Sequence, residues 1–365
     1  MPIKKLVFIH LFNDRSGSPK VLSQVIQAAT HQRIATHVLT SAQGEGFLTG
    51  LGDVQQRLFY RRSENKLLTL GYYLVSQGLL FVQCLQYRRQ NVVFYLNTML
   101  PFGAALAGKL LGIPVYYHVH ETSIKPDLLK GFLRWVIART CSQVVFVSHY
   151  LRRVEGFSRL PQVVIHNALD APLEPHCRIR QGPGFTVLMV CSLKVYKGVL
   201  EFLALARRSL DHPHLNFSLV LNASDAEVEH FFRRLGVPGN LTLHSRQSDL
   251  SGFYADADLL LNLSRSDGWV ETFGLTILEG MAHGLPVIVP PVGGPAELVR
   301  DDVEGYLICA YQTEELYRAL CRLAADPDTY RRLSTNAQAR AGDFRLEVFQ
   351  GKCSTLFAGM PHARQ

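Results

Sequence analysis

The sequence predicts an α/β protein built from two domains, each a parallel sheet covered by helices on both faces. Three observations carry that expectation. Short continuous apolar runs, rich in β-branched residues, alternate with longer helix-compatible stretches along the whole chain. The alternation restarts after a Pro/Gly-rich stretch near the middle. The chain has 365 residues, enough for two ordinary hydrophobic cores.

The first strand is expected at 6–10. Its apolar run is too short for a signal peptide and polar residues follow at once, so it reads as a buried strand. Further strands are expected at 36–39, 92–96, 115–119, 144–147 and 163–166. A second set follows at 186–190, 217–221, 259–263 and 287–289. Between the two sets, Ala171-Pro-Leu-Glu-Pro175 and Gln181-Gly-Pro-Gly184 read as a linker. This places one domain at 1–178 and the other at 183–342. The remainder, 343–365, reads as a helix that packs back on the first domain. One segment, Leu67–Tyr87, carries no charged residue over 21 residues, which is long enough to cross a bilayer. It also holds three Gln, two Gly, a Ser and a Thr, so it reads as a buried or interfacial helix.

Composition narrows the function classes. At 47% hydrophobic and 19% charged the chain is globular. The net charge of +8 and pI of about 9.1 favour anionic partners. Basic residues occur in pairs such as Arg61-Arg62, Arg88-Arg89, Arg152-Arg153 and Arg233-Arg234, as on solvated helix faces. Aromatic-plus-basic RNA-binding signatures are missing, so a nucleic-acid partner is not expected. The seven cysteines are odd in number and widely spaced, with no CxxC, which suits reduced thiols in a cytosol-like compartment.

The strongest chemical signal is Gly268-Trp-Val-Glu271-Thr-Phe-Gly274-Leu-Thr-Ile-Leu-Glu279-Gly-Met-Ala-His-Gly284-Leu-Pro286. The spacing of Leu275, Leu278 and Ala282 predicts a helix from about Gly274, stopped by Gly284 and Pro286. Glu279 falls one turn after Leu275, on or beside the apolar face, where a carboxylate is costly unless paired. Glu271 lies just before the same helix. Carboxylates suit bidentate hydrogen bonds to sugar diols, and a helix N-terminus suits a phosphate. The plainer reading is a helix cap plus a buried Glu paired with a basic side chain.

Two further loops share that logic. Pro290-Pro-Val-Gly293-Gly294-Pro295 follows strand 287–289, and its glycine pair with Pro at the helix start reads as a second phosphate-type loop, or simply as a tight strand–helix turn. Val190-Cys-Ser192-Leu-Lys194-Val-Tyr-Lys197-Gly198 again runs from a strand into a helix. Lys197 there is a point charge suited to a diphosphate, or an ordinary surface lysine.

Together these motifs, in this order, resemble glycosyltransferase family 4, whose fold is GT-B: two Rossmann-like domains with parallel sheets facing an interdomain cleft. The family signature of two glutamates separated by seven residues is matched by Glu271 and Glu279. His283-Gly-Leu-Pro-Val-Ile288, Gly293-Gly-Pro-Ala-Glu297, Lys197-Gly198 and Val164-Ile-His-Asn-Ala-Leu-Asp170 also correspond. The resemblance is close over 140–310 and loose before that.

What the resemblance implies is a set of roles. Glu279 would bind the ribose hydroxyls of a nucleotide-sugar. Glu271 and the amides of Phe273, Gly274 and Leu275 would contact the transferred sugar and the diphosphate. Lys197 would neutralise the leaving diphosphate. His120 would sit near the reacting sugar, and Gly17 in Arg15-Ser-Gly17-Ser would approach the diphosphate or the acceptor. Gly293 and Gly294 join the donor-binding set. The reaction implied is retaining, front-face and metal-independent. The implied acceptor is a glycan or lipid-linked glycan of the cell surface, handled at the cytoplasmic face of an anionic membrane. Three departures stand out. Ser192 occupies the position where the family has Arg, with Lys194 the available substitute. The first loop is Ser-Gly-Ser-Pro in place of a Gly pair. Residues 264–270 form a longer approach to Glu271. A nucleotide-sugar epimerase or hydrolase of the same fold, and a non-catalytic scaffold, remain alternatives.

Other signals are weaker. Asp256-Ala-Asp258 has the spacing of a metal-binding pair but sits where a helix end meets a strand, and reads as capping. His118, His120 and Glu121 lack a further zinc ligand placed by sequence. Gly44, Gly46 and Gly50 only loosely echo a dinucleotide fingerprint. No GxSxG motif occurs.

Overall fold

Residues 5–41, 45–61, 63, 65–170 and 184–361 are described by the computed structural model. They belong to two units, Met1–Ala168 with Leu346–Gln365, and Leu169–Arg345. The sequence places the boundary between 178 and 183, which lies outside the described residues. Leu169 belongs to the second unit, where its amide donates to Phe344 O (3.0 Å).

The first unit has strands β1 (Lys5–His10), β2 (Ala35–Ser41), β3 (Val54–Leu58), β4 (Val92–Asn97), β5 (Val115–Val119), β6 (Gln143–Phe146) and β7 (Gln162–Val164). They pair in parallel in the order β3-β2-β1-β4-β5-β6-β7. Its helices are α1 (Gly17–His31), α2 (Lys66–Cys84), α3 (Phe102–Leu111), α4 (Asp127–Thr140) and α5 (His149–Glu155). The second unit has β8 (Phe185–Cys191), β9 (Leu215–Leu221), β10 (Leu241–His244), β11 (Leu259–Leu261), β12 (Val287–Val289) and β13 (Gly305–Leu307), parallel in the order β10-β9-β8-β11-β12-β13. Its helices are α6 (Val199–Arg208), α7 (Asp225–Phe232), α8 (Ser251–Asp256), α9 (Leu275–Ala282), α10 (Pro295–Leu298), α11 (Thr313–Ala325) and α12 (Pro327–Ala341).

The two sheets repeat one winding. Numbered within its own unit, the second runs 3-2-1-4-5-6, the Rossmann order, and the first runs the same with a seventh strand added beside its sixth; each reverses direction between its first and fourth strands. Interior strands are apolar on both faces because helices cover both: β1 is buried from Leu6 to His10, and all six residues of β4 are buried. Strands β3, β10 and β13 were not expected from the sequence. All three are sheet edges, and β3, Val54-Gln-Gln-Arg-Leu58, is exposed over most of its length, so it lacks the continuous apolar run.

After α12 the chain returns to the first unit as helix α13 (Leu346–Ala358). Phe349, Cys353, Leu356 and Phe357 of α13 share a core with Leu22, Val25 and Ile26 of α1 and with Leu6 and Phe8 of β1.

Helix α2 docks on α3 through a partly polar face. Its buried residues are Tyr73, Ser76, Gln77, Leu80 and Cys84. Gln77 Oε1 accepts the Gly103 amide (3.0 Å), and Tyr73 donates to Leu100 O (2.7 Å). The backbones touch at Gly103, where a Cβ would lie 2.1 Å from Gln77 O. Leu68, Leu74, Val75, Leu79 and Val82 are left exposed. The inward stripe is thus partly polar and the outward stripe apolar.

Candidate functional site

Open α/β sheets bind ligands beyond the carboxyl ends of their strands, where the strand order reverses. In the second unit that point is flanked by the loops after β8 and β11. The chain leaves β8 through Ser192 and Lys194, makes a single 3₁₀ turn at Val195–Lys197, and enters α6 at Gly198. Gly198 has φ +85°, and a Cβ there would lie 2.2 Å from Leu263 O, so only glycine lets the two loops meet. Val199, Phe202, Leu203 and Ala206 bury one face of α6 and anchor the turn.

That turn delivers Lys197 to the loop after β11. Its Nζ donates to Glu271 Oε2 at 2.6 Å, and lies 5.3 Å from the centre of the Trp269 ring. Trp269 in turn stacks on Tyr196 (5.8 Å, 26°). The 264–270 segment is clamped in place: the Arg265 amide donates to Tyr196 O (2.8 Å), and the Arg265 guanidinium bonds Tyr311, whose hydroxyl donates to Asp267 (2.8 Å). Trp269 Nε1 and Ser264 Oγ, both in this segment, are buried without a hydrogen-bond partner among the described residues.

Helix α9 starts four residues after Glu271, at Leu275. Gly274 precedes it with φ +107°, and no side chain caps it. The amides of Gly274, Leu275 and Thr276 have no partner among the described residues, so this helix end presents free donors. One turn on, Glu279 Oε2 accepts from the Tyr254 hydroxyl at 2.9 Å. Tyr254 is 3% exposed and stacks on His283 (5.2 Å, 28°), whose Nδ1 lies 2.9 Å from Glu279 O. Burial, followed by the neighbouring carboxylate, drives the Tyr254 hydroxyl well above its ordinary pKa, so it stays a donor.

Gly293 and Gly294 close on the same loop. A Cβ on Gly293 (φ +86°) would lie 2.4 Å from Glu271 O, and one on Gly294 would lie 2.3 Å from Phe273 Cα. The Gly294 amide donates to Glu271 O (2.9 Å). The close backbone approach that the glycine pair announces is thus to the 271–273 backbone itself. Lys194 is exposed, and Ser192 leaves no charge at the position where the resemblance calls for arginine.

In the first unit, His120 follows β5, one strand beyond the β1–β4 reversal point of that sheet. Its Nε2 lies 2.8 Å from Asn97 Oδ1, and its ring 4.3 Å from that of His118. Burial, then the nearby His118 and His10 rings, hold His120 well below the ordinary histidine pKa. His118 is pushed down to about 3 by burial, while its Nδ1 meets Tyr95 Oη at 2.9 Å. Glu121 accepts from the amides of Met99 (3.0 Å) and His120 (3.1 Å), yet burial outweighs them and raises it to about 7. Gly17 is the exposed first residue of α1, after the Ser16 cap.

The weaker signals have structural partners. Asp258 exchanges bonds with Thr186 across β8 and β11 (2.8 and 2.7 Å). Gly46 packs on Asn13, and Gly44 lies outside the described residues. Tyr254 and Asn97 were not among the residues the sequence singled out. Tyr254 lies two residues before the Asp256-Ala-Asp258 stretch read as capping, and Asn97 was only the polar residue ending an apolar run.

Residues 179–340, nearly the whole second unit, match the family model of glycosyl transferases group 1. A D-inositol 3-phosphate glycosyltransferase of Segniliparus rotundus is 35% identical over 117 residues, 32% of this chain and 25% of that protein. The chain thus spans about a quarter of the length of that curated relative. An uncharacterized glycosyltransferase of Haemophilus influenzae is 22% identical over 60% of this chain and 62% of its own length. Among solved structures, Anabaena HepE in complex with UDP-glucose superposes with a TM-score of 0.78 at 20% identity, covering 98% of this chain and all of that one. The lipopolysaccharide outer core galactosyltransferase WaaB gives 0.70 at 15% identity over 97% and 98%. The fold is GT-B: two Rossmann-like units with parallel sheets.

Proposed function

We propose that this chain is a retaining glycosyltransferase of the family 4 type. It moves a sugar from a nucleoside-diphosphate sugar to a glycan or lipid-linked glycan acceptor in the building of cell-surface polysaccharide. The observation that carries the reading is the Lys197–Glu271 pair beside the unpartnered amides of Gly274, Leu275 and Thr276. A cation and a helix N-terminus at a Rossmann switch point are what a diphosphate needs.

In this reading Glu279, oriented by Tyr254, takes the ribose diol. Glu271 exchanges Lys197 for sugar hydroxyls when the donor enters. Lys197 and the α9 amides stabilise charge as it develops on the leaving phosphate oxygen. They supply positive charge without a metal, and metal independence is proposed on that ground. His120 contacts the reacting sugar from the first unit. The similarity to proteins that handle UDP-glucose makes a UDP-sugar the first donor to try.

Contact with an anionic membrane surface is part of the same proposal. Its support is the outward apolar stripe of α2, the exposed Leu128 and Trp135 of α4, and the net charge of +8. The free cysteines among the described residues fit work on the cytoplasmic side.

The test is release of nucleoside diphosphate from a panel of nucleotide-sugars, with and without lipid-linked glycan acceptors. Acceptor-dependent release by wild type, absent in Lys197→Ala, supports transfer. Release that ignores acceptor points to a hydrolase or epimerase, and no release from any donor removes the enzyme reading.

A further inference from the structure

Asn97 ends β4 fully buried, and its side-chain amide has one possible orientation. One amide atom lies 3.0 Å from Ser18 O, a carbonyl that can only accept, so that atom is the nitrogen. The oxygen therefore faces His120, 2.8 Å from Nε2. An amide oxygen has no proton to give, so the Nε2 of His120 must donate. The same Nδ2 also lies 3.2 Å from His10 Nδ1, which brackets the amide from its other side.

The rest of the surroundings agree. The His120 backbone amide is engaged by Glu121 Oε2 (3.1 Å), which holds the loop, while Thr98, next to Asn97, donates its amide to His118 O (2.8 Å). Thus the loops after β4 and β5 lock each other. The Nδ1 of His120 has no protein partner among the described residues. Burial and two neighbouring imidazoles disfavour a charged ring, and in a neutral ring protonated on Nε2 the Nδ1 carries a lone pair.

We propose that Asn97 is a positioning residue that locks His120 in the Nε2–H tautomer, so that His120 meets its ligand through Nδ1 as a hydrogen-bond acceptor for a sugar hydroxyl. The ligand class rests on the proposed glycosyl transfer; the tautomer does not. His120 in this state accepts a hydrogen bond from a hydroxyl and holds that group in place. It is not the acid that protonates a leaving phosphate.

The tautomer is read directly by long-range proton–nitrogen correlation on the full chain labelled with nitrogen-15 histidine. His120 is assigned by the signals missing in His120→Gln. A pure Nε2–H pattern in wild type and a mixture of tautomers in Asn97→Leu are expected. An Nδ1–H or mixed pattern in wild type, or an unchanged Nε2–H pattern in Asn97→Leu, overturns the proposal. Should Asn97→Leu fail to fold, the wild-type spectrum decides alone. Failure of the glycosyl-transfer reading shows up separately, as absence of nucleotide binding with the tautomer intact.

Discussion

Lys197 Nζ stands 2.6 Å from Glu271 Oε2, with the two side chains only 17% and 19% exposed. A pair this sheltered is not a surface ornament. Removing its cation leaves a carboxylate beside the free amides of α9, where it repels an incoming phosphate. Lys197→Ala should therefore weaken nucleoside-diphosphate binding by about 10- to 100-fold, the range of a charge-assisted hydrogen bond. Adding Glu271→Gln to that variant should recover part of the loss. Titration calorimetry of the two variants checks both statements.

In the proposed site Tyr254 acts on the ligand through Glu279. Tyr254→Phe should weaken binding of a nucleoside diphosphate by about 3- to 10-fold, the worth of one hydrogen bond. With the 2′,3′-dideoxy analogue, which offers Glu279 no diol, the same substitution should make no difference. Equal losses for both ligands would mean that Tyr254 serves packing alone.

Two glycines hold the site loops in contact. Gly198→Ala forces a Cβ against Leu263 O, and Gly294→Ala forces one against Phe273 Cα, both backbone atoms. Each should lower stability by about 2 kcal/mol or more, read as a shift in urea midpoint at unchanged slope. Gly112→Ala is the control. It shares a positive φ but has nothing within 4 Å of its Cβ, so it should cost less.

The pH dependence of stability should carry opposite contributions from His118 on β5 and Glu121 just after it. Glu121, raised to about 7, keeps its proton in the folded state between about pH 4.5 and 7 while the unfolded chain gives it up. Its contribution to stability therefore falls as pH rises through that window. His118, held at about 3, refuses a proton that the unfolded chain takes up below about 6.5, so its contribution falls as pH drops. Glu121→Gln should remove the first slope and uncover the second. Unfolding midpoints from pH 5 to 8 should then decline toward acid more steeply than in wild type.

The outward stripe of α2 makes a separate prediction. Leu79→Glu with Val82→Glu should leave the melting temperature within a few degrees, because both side chains are exposed. The pair should abolish sedimentation with anionic vesicles. Wild type that stays in the supernatant with such vesicles would remove the membrane part of the proposal.

Much of the architecture was readable because interior parallel strands are apolar on both faces. Runs such as Val92–Asn97 and Val115–Val119 have little other reading. The edge strands β3 and β10 escaped because one side of each faces no neighbour, and Gln, Arg and Thr are tolerated there. The orientation of α2 was hidden for a different reason. Its apolar residues announce a helix but not which face docks, and the docking face turned out to hold Ser76 and Gln77. In the candidate site, Glu271, Glu279 and Lys197 stood out because charge beside a glycine-led helix start is chemically unusual. Tyr254 and Asn97 did not, since an ordinary tyrosine and an ordinary asparagine gain their roles only when folding brings α8 to α9 and β4 to β5.

The central claim is a diphosphate site in the second unit, and calorimetry with a panel of nucleoside diphosphates tests it most directly. Wild type and Glu279→Ala would each be titrated with and without EDTA. Saturable binding of one nucleotide, indifferent to EDTA and weakened in the variant, is the predicted result. Binding of none of them to wild type would contradict the account.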